Sequence, residues 1–201
     1  MLDDAAQRLI GPGLDRLGAS LARRGVSADQ VTLLGFALGL LAAGAIAARF
    51  YLLGLVLILA SRLCDGLDGA VARATRKTDR GGFLDIVLDF AFYGLIPLGF
   101  VIAEPGANAV AGATLLFSFY VNGASFLAFA IMAEKRKLET GRRREKSLYF
   151  TSGLAEASET IVVFGLFCLL PDYFAVIAYI FAAITLVTAG ARILLAVRVF
   201  R

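Results

Sequence analysis

Residues 65–90 read DGLDGAVARATRKTDRGGFLDIVLDF, and four of the aspartates here, Asp65, Asp68, Asp85 and Asp89, interrupt an otherwise oily chain. Of its 201 residues 59% are hydrophobic, and the mean hydropathy is +0.80. An ordinary soluble domain is about 45–50% apolar. A lone charged carboxylate at the centre of a bilayer costs about 2.5–3.5 kcal/mol on insertion scales. Four of them in one stretch call for a compensating partner, and the search for that partner organises the reading of the chain.

The apolar excess lies in six long runs, residues 31–48, 51–71, 83–103, 107–133, 149–170 and 173–199. Several reach the ~20 residues that a helix needs to cross a hydrocarbon core. None shows the alternation of a β-barrel strand. The expected fold is therefore all-α, a polytopic membrane protein of six transmembrane helices. No Pro- or Ser-rich linker divides the chain, so residues 1–201 read as a single domain, with an interfacial segment at 1–26 and a six-helix bundle at 27–201. Residues 1–24 lack the apolar core of a cleavable signal. Leu2, Leu9, Ile10, Leu14, Leu17 and Leu21 alternate with charges, and Gly11, Pro12 and Gly13 interrupt the pattern. This predicts one or two short amphipathic helices, lying on the membrane surface or on the protein's own cytoplasmic face.

Basic residues orient the spans. Arg8, Arg16, Arg23 and Arg24 precede the first run, and Arg73, Arg76, Lys77 and Arg80 lie between the second and third. Lys135, Arg136, Lys137, Arg142, Arg143, Arg144 and Lys146 lie between the fourth and fifth, whereas the opposite loops offer only Arg49, Glu104 and Asp172. The positive-inside rule then places both termini and the aspartate loop in the cytoplasm. The same asymmetry accounts for the net charge of +4 through topology and anionic lipid, without nucleic acid as a partner. Cys64 and Cys168 sit in different runs with no metal-binding spacing and read as packing residues. Histidine is absent, so a general base must be a carboxylate, a lysine, a tyrosine or a bound hydroxide.

Asp65 and Asp68 are one helical turn apart at the end of the second run, and Asp85 and Asp89 are one turn apart at the start of the third. The short polar link 74–82 makes the two spans antiparallel neighbours whose carboxylate pairs face each other near the cytoplasmic surface. Converging carboxylates repel unless a cation lies between them. Oxygen-only sites suit Mg²⁺ or Mn²⁺, and two ions shared by four aspartates is a natural count. Solvated helix ends balanced by the nearby arginines would explain one or two aspartates, but not two pairs that share faces. Gly66, Gly69 and Ala70, with Gly81 and Gly82, leave space beside the aspartates for a ligand or for close helix packing. Arg73 can reach a phosphate or pair with an aspartate.

Asp65-x-x-Asp68-Gly69-x-x-Ala72-Arg73, a short spacer, and Gly81-x-x-x-Asp85-x-x-x-Asp89 resemble the CDP-alcohol phosphotransferase signature at every fixed position. The segments GFLDIVLDFAFYGLIP and GLAEASETI are further similar to a bacterial subgroup of that family. Two departures are visible: a slightly short spacer, 74–80, and Ala28-Asp29-Gln30-Val31-Thr32 where many members carry Pro-Asn-x-x-Thr. Asp29 or Thr32 can still cap a helix or touch a ligand. The resemblance implies transfer of a phosphatidyl group from CDP-diacylglycerol to a small alcohol, with release of CMP, in phospholipid synthesis at a bacterial inner membrane. It assigns Asp65, Asp68 and Asp85 as metal ligands and Asp89 as the base, with Asp89 also able to share a metal. It puts Gly69, Ala72, Arg73, Gly81 and Thr32 around the CDP moiety, and it implies a homodimer.

The acceptor is less constrained. The basic loop 135–146, with Lys146, suits a phosphorylated alcohol. Glu156 and Glu159, one turn apart within the fifth run and near Ser152, Ser158 and Thr160, suit a polyol or a cationic alcohol instead. The glutamates could equally serve interhelical hydrogen bonds with Asn122, Ser125 or Arg192. The aromatic run from Phe117 to Phe129 reads as packing or as a dimer surface. Two rival functions use similar parts. A Mg²⁺-dependent intramembrane prenyltransferase would normally need more spans and lacks the Gly-x-x-Ala-Arg element. A cation carrier would place its carboxylates near the bilayer midplane.

Overall fold

The computed structural model describes residues 2–136 and 157–200, residues 2–9 as backbone only. The described residues form seven α-helices and one short 3₁₀ turn, with no strand. The helices are α1 (Leu2–Arg23), α2 (Ala28–Ala47), α3 (Tyr51–Ala74), α4 (Asp79–Ala103), α5 (Pro105–Lys135), α6 (Ala157–Leu169) and α7 (Phe174–Val199). The 3₁₀ turn Pro171–Tyr173 joins the last two. Among the described residues, α2, α4, α5 and the Pro171–Val199 stretch are long and apolar enough to cross a membrane. Helix α3 has 24 residues but carries Arg62 at its middle and Asp65, Asp68 and Arg73 in its second half. Helix α6 is apolar and spans 13 described residues. Large apolar side chains such as Leu52, Val110, Phe117 and Tyr120 point outward, as expected of a lipid-facing surface.

Local chemistry sets the boundaries. Gly25 adopts φ 81°, a left-handed conformation that ends α1 and that glycine takes without steric cost. Ser27 then starts α2 through a reciprocal cap: its hydroxyl accepts from the Gln30 N–H at 3.3 Å, and the Gln30 side chain accepts from the Ser27 N–H at 2.9 Å. The cap is thus Ser27, and neither Asp29 nor Thr32 serves in that role. Thr78 caps α4 by accepting from the Gly81 N–H at 3.0 Å, so this helix begins at Asp79, one turn before the apolar run does. Helix α3 likewise continues past its apolar run to Ala74, because Ala70, Ala72 and Ala74 favour helix regardless of polarity. Arg49, at φ 67°, turns the chain between α2 and α3 and donates to the Ala103 carbonyl at 2.9 and 3.2 Å and to Glu104 at 2.8 Å. These bonds tie the two turns at the end of the bundle remote from the aspartates.

One expectation changes. The Gly11-Pro12-Gly13 interruption does not break the N-terminal segment, because α1 runs continuously through Pro12. Its second half lies on α3: Gly18 is so close to Ala70 that a Cβ there would fall 2.7 Å from the alanine Cβ, and Asp15 pairs with Arg73 at 2.7 Å. Helices α3 and α4 meet through their side chains, with Arg62 of α3 lying 3.8 Å over the Phe92 ring of α4 and pairing with Asp89 at 2.7 Å. Helix α2 packs against both. Gly39 admits the Phe92 ring so closely that a Cβ would sit 2.7 Å from Cδ2.

Helices α2 to α7 all contribute to one buried cluster, dominated by phenylalanine. Phe100 stacks on Tyr51 at 5.6 Å and on Phe174 at 4.9 Å, and Phe167 lies 4.7 Å from Phe174. Phe119 contacts Phe164 and Phe181, so part of the aromatic run of α5 is packing. Cys168 belongs to the core and Cys64 is half-buried, and both thiols are free. Lipid gives little hydrophobic drive for helices to associate, so close fit and ring contacts carry the bundle. Each aromatic pair adds about 0.5–1.5 kcal/mol beyond its area.

Candidate active site

The turn 75–78 brings the end of α3 back toward the start of α4, and three of the four aspartates converge there. Asp65, Asp68 and Asp85 each present a carboxylate oxygen, and these oxygens all lie within 4.8 Å of one another. Asp68 is the most deeply set, only 6% exposed. The Thr32 hydroxyl donates to Asp68 Oδ2 at 2.5 Å and so fixes its orientation from α2. Among the described residues, no lysine or arginine pairs with Asp68 or Asp85. A small void of about 10 Å³ is enclosed by the four aspartates with Thr32, Ser61 and Arg62. Hard oxygen donors, more carboxylates than the single arginine beside them can balance and a shared central space together fit a divalent cation.

Asp89 lines the same void beside this trio. It is held by Arg62, whose Nη1 donates to Asp89 Oδ1 at 2.7 Å and lies 3.4 Å from Asp65 Oδ1. The residue reading had not singled out Arg62. The clue was present, since an arginine three positions before Asp65 in the run LILASRLC has no business in lipid without a partner.

Two clefts flank the aspartates. The first, of about 680 Å³, has Asp68 and Asp85 at its base and Gly69, Ala72 and Gly81 on its walls. Thr32 and Arg73 also line it, with Arg76 and Lys77. The four signature residues Gly69, Ala72, Arg73 and Gly81 therefore share one cleft with Thr32. Arg73 turns toward Asp15 of α1, and Arg80 lies 3.4 Å from Asp29 on α2. The pattern of carboxylate base, small walls and basic neighbours is suited to a diphosphate that meets cations from both sides. The absence of side chains at Gly69 and Gly81 matters here: a Cβ at Gly69 would fall 3.3 Å from Arg73 Nη1, and one at Gly81 would fall 3.2 Å from Asp29 Oδ1.

The second cleft, of about 630 Å³, opens on the other side of Asp85 and contains Asp89. Phe90, Tyr93, Phe119 and Phe126 give it apolar walls, and Asn122, Thr160, Thr185 and Arg192 give it polar groups. Arg192 is 5% exposed and donates to Asn122 Oδ1 at 2.8 Å and to Ser125 Oγ at 2.9 Å. Of the acceptor candidates, Glu159 does not line this cleft, and its Oε2 is buried without a hydrogen-bond partner among the described residues. Lys146 and Glu156 lie outside the described residues, as do Ser152 and most of the basic loop.

Comparison with known proteins agrees with this geometry. The Escherichia coli inner membrane protein YnjF is 48% identical over 193 residues, covering 96% of this chain and 94% of YnjF. An archaetidylinositol phosphate synthase from Pyrococcus horikoshii is 39% identical over 77 residues, 38% of this chain and 41% of that protein. The crystal structure of Mycobacterium tuberculosis phosphatidylinositol phosphate synthase with CDP-DAG bound shares the fold, with a TM-score of 0.64 at 19% identity over 90% of this chain and 91% of that one. Residues 26–191 match the family pattern that contains the aspartate signature, and the chain belongs to the CDP-alcohol phosphatidyltransferase family.

Proposed function

We propose that this protein transfers a phosphatidyl group from CDP-diacylglycerol to the hydroxyl of a small alcohol, releasing CMP. The observation that carries the reading is the convergence of Asp65, Asp68 and Asp85, the last two at the base of a cleft that also holds the signature residues Gly69, Ala72, Arg73 and Gly81, with Thr32. Family membership favours this reaction over prenyl transfer and over cation transport.

In this reading the first cleft takes the CDP moiety, and Asp65, Asp68 and Asp85 hold Mg²⁺ or Mn²⁺, two ions per chain. When bound, the ions supply charge neutralisation for the diphosphate and for the departing CMP. Gly69, Ala72 and Gly81 admit the donor close to the backbone, and Arg73 is within reach of its phosphates. The acceptor enters by the second cleft, because Asp89 lines that cleft and not the first. Asp85 lines both, so the two substrates meet at this residue. The acceptor oxygen attacks the phosphorus that bears diacylglycerol, the bond to CMP breaks, and the hydroxyl proton passes to Asp89. With no histidine in the chain, a carboxylate at that position is the most suitable base.

The same reading makes the chain a single domain with six spans, α2 to α7, in a bacterial inner membrane. Support comes from the length of α3, from the apolar character of α6 and from the name of the YnjF relative. The lysine and arginine asymmetry supports cytoplasmic termini and a cytoplasmic site. Glu156, Glu159 and Lys146 are retained as candidates for acceptor selection, and a homodimer is proposed on the family resemblance.

Purified protein in detergent, given CDP-dioleoylglycerol and a panel of neutral, cationic and phosphorylated alcohols, should release CMP and form a new phospholipid only with Mg²⁺ or Mn²⁺ present. Absence of CMP release across the whole panel would refute the assignment.

A further inference from the structure

We infer that Asp15 of α1 is a positioning residue for the donor: it holds the Arg73 guanidinium in the orientation that meets the diphosphate, and so makes α1 part of the donor site. The inference deepens the reading given above and rests on it for the occupant of the first cleft. It starts from a contact between residues 58 positions apart, in which Arg73 Nη2 donates to Asp15 Oδ1 at 2.7 Å. Three cationic side chains line the first cleft, Arg73, Arg76 and Lys77. Among the described residues, Arg73 is the one of the three that pairs with a carboxylate.

The packing of α1 on α3 fixes where that carboxylate stands. Asp15 and Gly18 lie one turn apart on α1, and Ala70 and Arg73 one turn apart on α3, so each pair shares a face. Gly18 is so close to α3 that an added Cβ would fall 2.8 Å from the Ala70 carbonyl carbon, and one at Gly66 would fall 3.0 Å from Leu14 Cδ1. Backbone meets backbone at Gly18, which leaves α1 little freedom to slide. The guanidinium of Arg73 lies against the bare backbone of Gly69, where a Cβ would fall 3.3 Å from Nη1. Its remaining donors make no hydrogen bond among the described residues, and Arg73 lines the cleft. A planar fork fixed at one nitrogen presents the others in a set direction.

The pair is not a staple. Arg73 is 52% and Asp15 58% exposed, and an ion pair that open contributes little to stability. Its contribution is orientation. Removing Asp15 has consequences of opposite sign for an anionic donor. It takes away a negative charge near the diphosphate, which favours binding by about twofold or less once screened. It also frees an arginine that binding must then immobilise, at a cost of about 2–12-fold in affinity, and it loosens a fork whose parallel bonds to phosphate need a set plane. The two losses together outweigh the gain, so the sign of the effect separates positioning from simple charge.

Calorimetry of CDP-dioleoylglycerol binding in detergent, with Mg²⁺ present, reads that sign. Asp15→Ala should weaken donor binding by about 3–10-fold, and Asp15→Glu, which keeps a carboxylate, should recover most of the loss. In the Arg73→Met background Asp15→Ala should have no further cost, because no fork is left to orient. In CMP release, Asp15→Ala should raise KM for the donor by the same factor, with the rate at saturating donor returning to within a few-fold of wild type. Its Tm should stay within about 4 °C of wild type. Donor affinity that is unchanged or tighter in Asp15→Ala, or a loss of equal size in the Arg73→Met background, would overturn the inference. A ligand-free measurement separates it from the reaction. In protein carrying isotope-labelled arginine, the Nε–H resonance of Arg73, identified by its loss in Arg73→Lys, should report a restrained side chain in wild type and a mobile one in Asp15→Ala. Equal mobility in the two would also overturn the inference. If the wild type binds no CDP-dioleoylglycerol, the proposed reaction fails while this resonance still decides whether Asp15 orients Arg73.

Discussion

Thr32→Val isolates the contribution of one hydrogen bond to the metal site. Threonine and valine have the same shape, so the packing of α2 against α3 is preserved and only the hydroxyl is lost. That hydroxyl lies 2.5 Å from Asp68 Oδ2 and 3.0 Å from the Ala28 carbonyl, and the shorter separation places its proton toward the carboxylate. A hydrogen bond to a charged group contributes about 1.5–3 kcal/mol net. Asp68 is 6% exposed, so water replaces the lost donor poorly. If half or more of that contribution serves to hold Asp68 in its ligating orientation, the affinity for Mg²⁺ falls by about 10–100-fold, in line with other residues that orient metal ligands. The assay is CMP release from CDP-dioleoylglycerol as a function of Mg²⁺. The half-saturating Mg²⁺ concentration should rise by that factor, and the rate at saturating Mg²⁺ should return to within a few-fold of wild type. Thr32→Ser, which keeps the hydroxyl, should stay close to wild type. An unchanged Mg²⁺ dependence in Thr32→Val would refute the argument that this bond sets the ligand geometry.

Three further outcomes are expected. Asp65→Asn and Asp68→Asn should each abolish CMP release while the protein remains folded and membrane-inserted, as judged by circular dichroism and size-exclusion profile, because the amide keeps the shape and loses the charge. Full activity in Asp68→Asn would count against the site. With Cys64 and Cys168 replaced by serine and alanine, a cysteine introduced at Arg76 should react with an impermeant maleimide only from the cytoplasmic side, and one at Gly106 only from the opposite side; the reverse pattern would overturn the orientation. Gly39→Ala should overpack the contact with Phe92, where the new Cβ would fall 2.7 Å from the ring, at a cost of about 1–3 kcal/mol. A shift of about 2–4 °C per kcal/mol is typical for a chain of this size, so thermal unfolding should move down by about 2–12 °C; an unchanged Tm would show that the ring retreats freely.

The sequence alone determined what depends on local order and on burial statistics. Long apolar runs leave few alternatives to membrane helices, since in lipid the backbone must satisfy its own hydrogen bonds. Asp65 and Asp68 share a helical face by their spacing, as do Asp85 and Asp89, and the short link 74–82 brings the two helix ends together. Gly69, Ala72, Arg73 and Gly81 belong to one compact signature, and they line a single cleft with Thr32.

Tertiary structure decided what depends on contacts between distant segments. Helix α1 continues through Pro12 and rests on α3 through the Gly18–Ala70 approach, a contact that no local pattern encodes. Helix α2 packs on both α3 and α4, and through the Thr32 hydroxyl it reaches Asp68 from outside the signature. Above all, the four aspartates, equivalent by spacing, are not equivalent in space. Arg62 lies on the same helix as Asp65, but it pairs more closely with Asp89, 27 residues away on α4. Which carboxylate an arginine selects depends on where a phenylalanine ring, a serine hydroxyl and a neighbouring backbone fix its guanidinium, and those groups come from three helices.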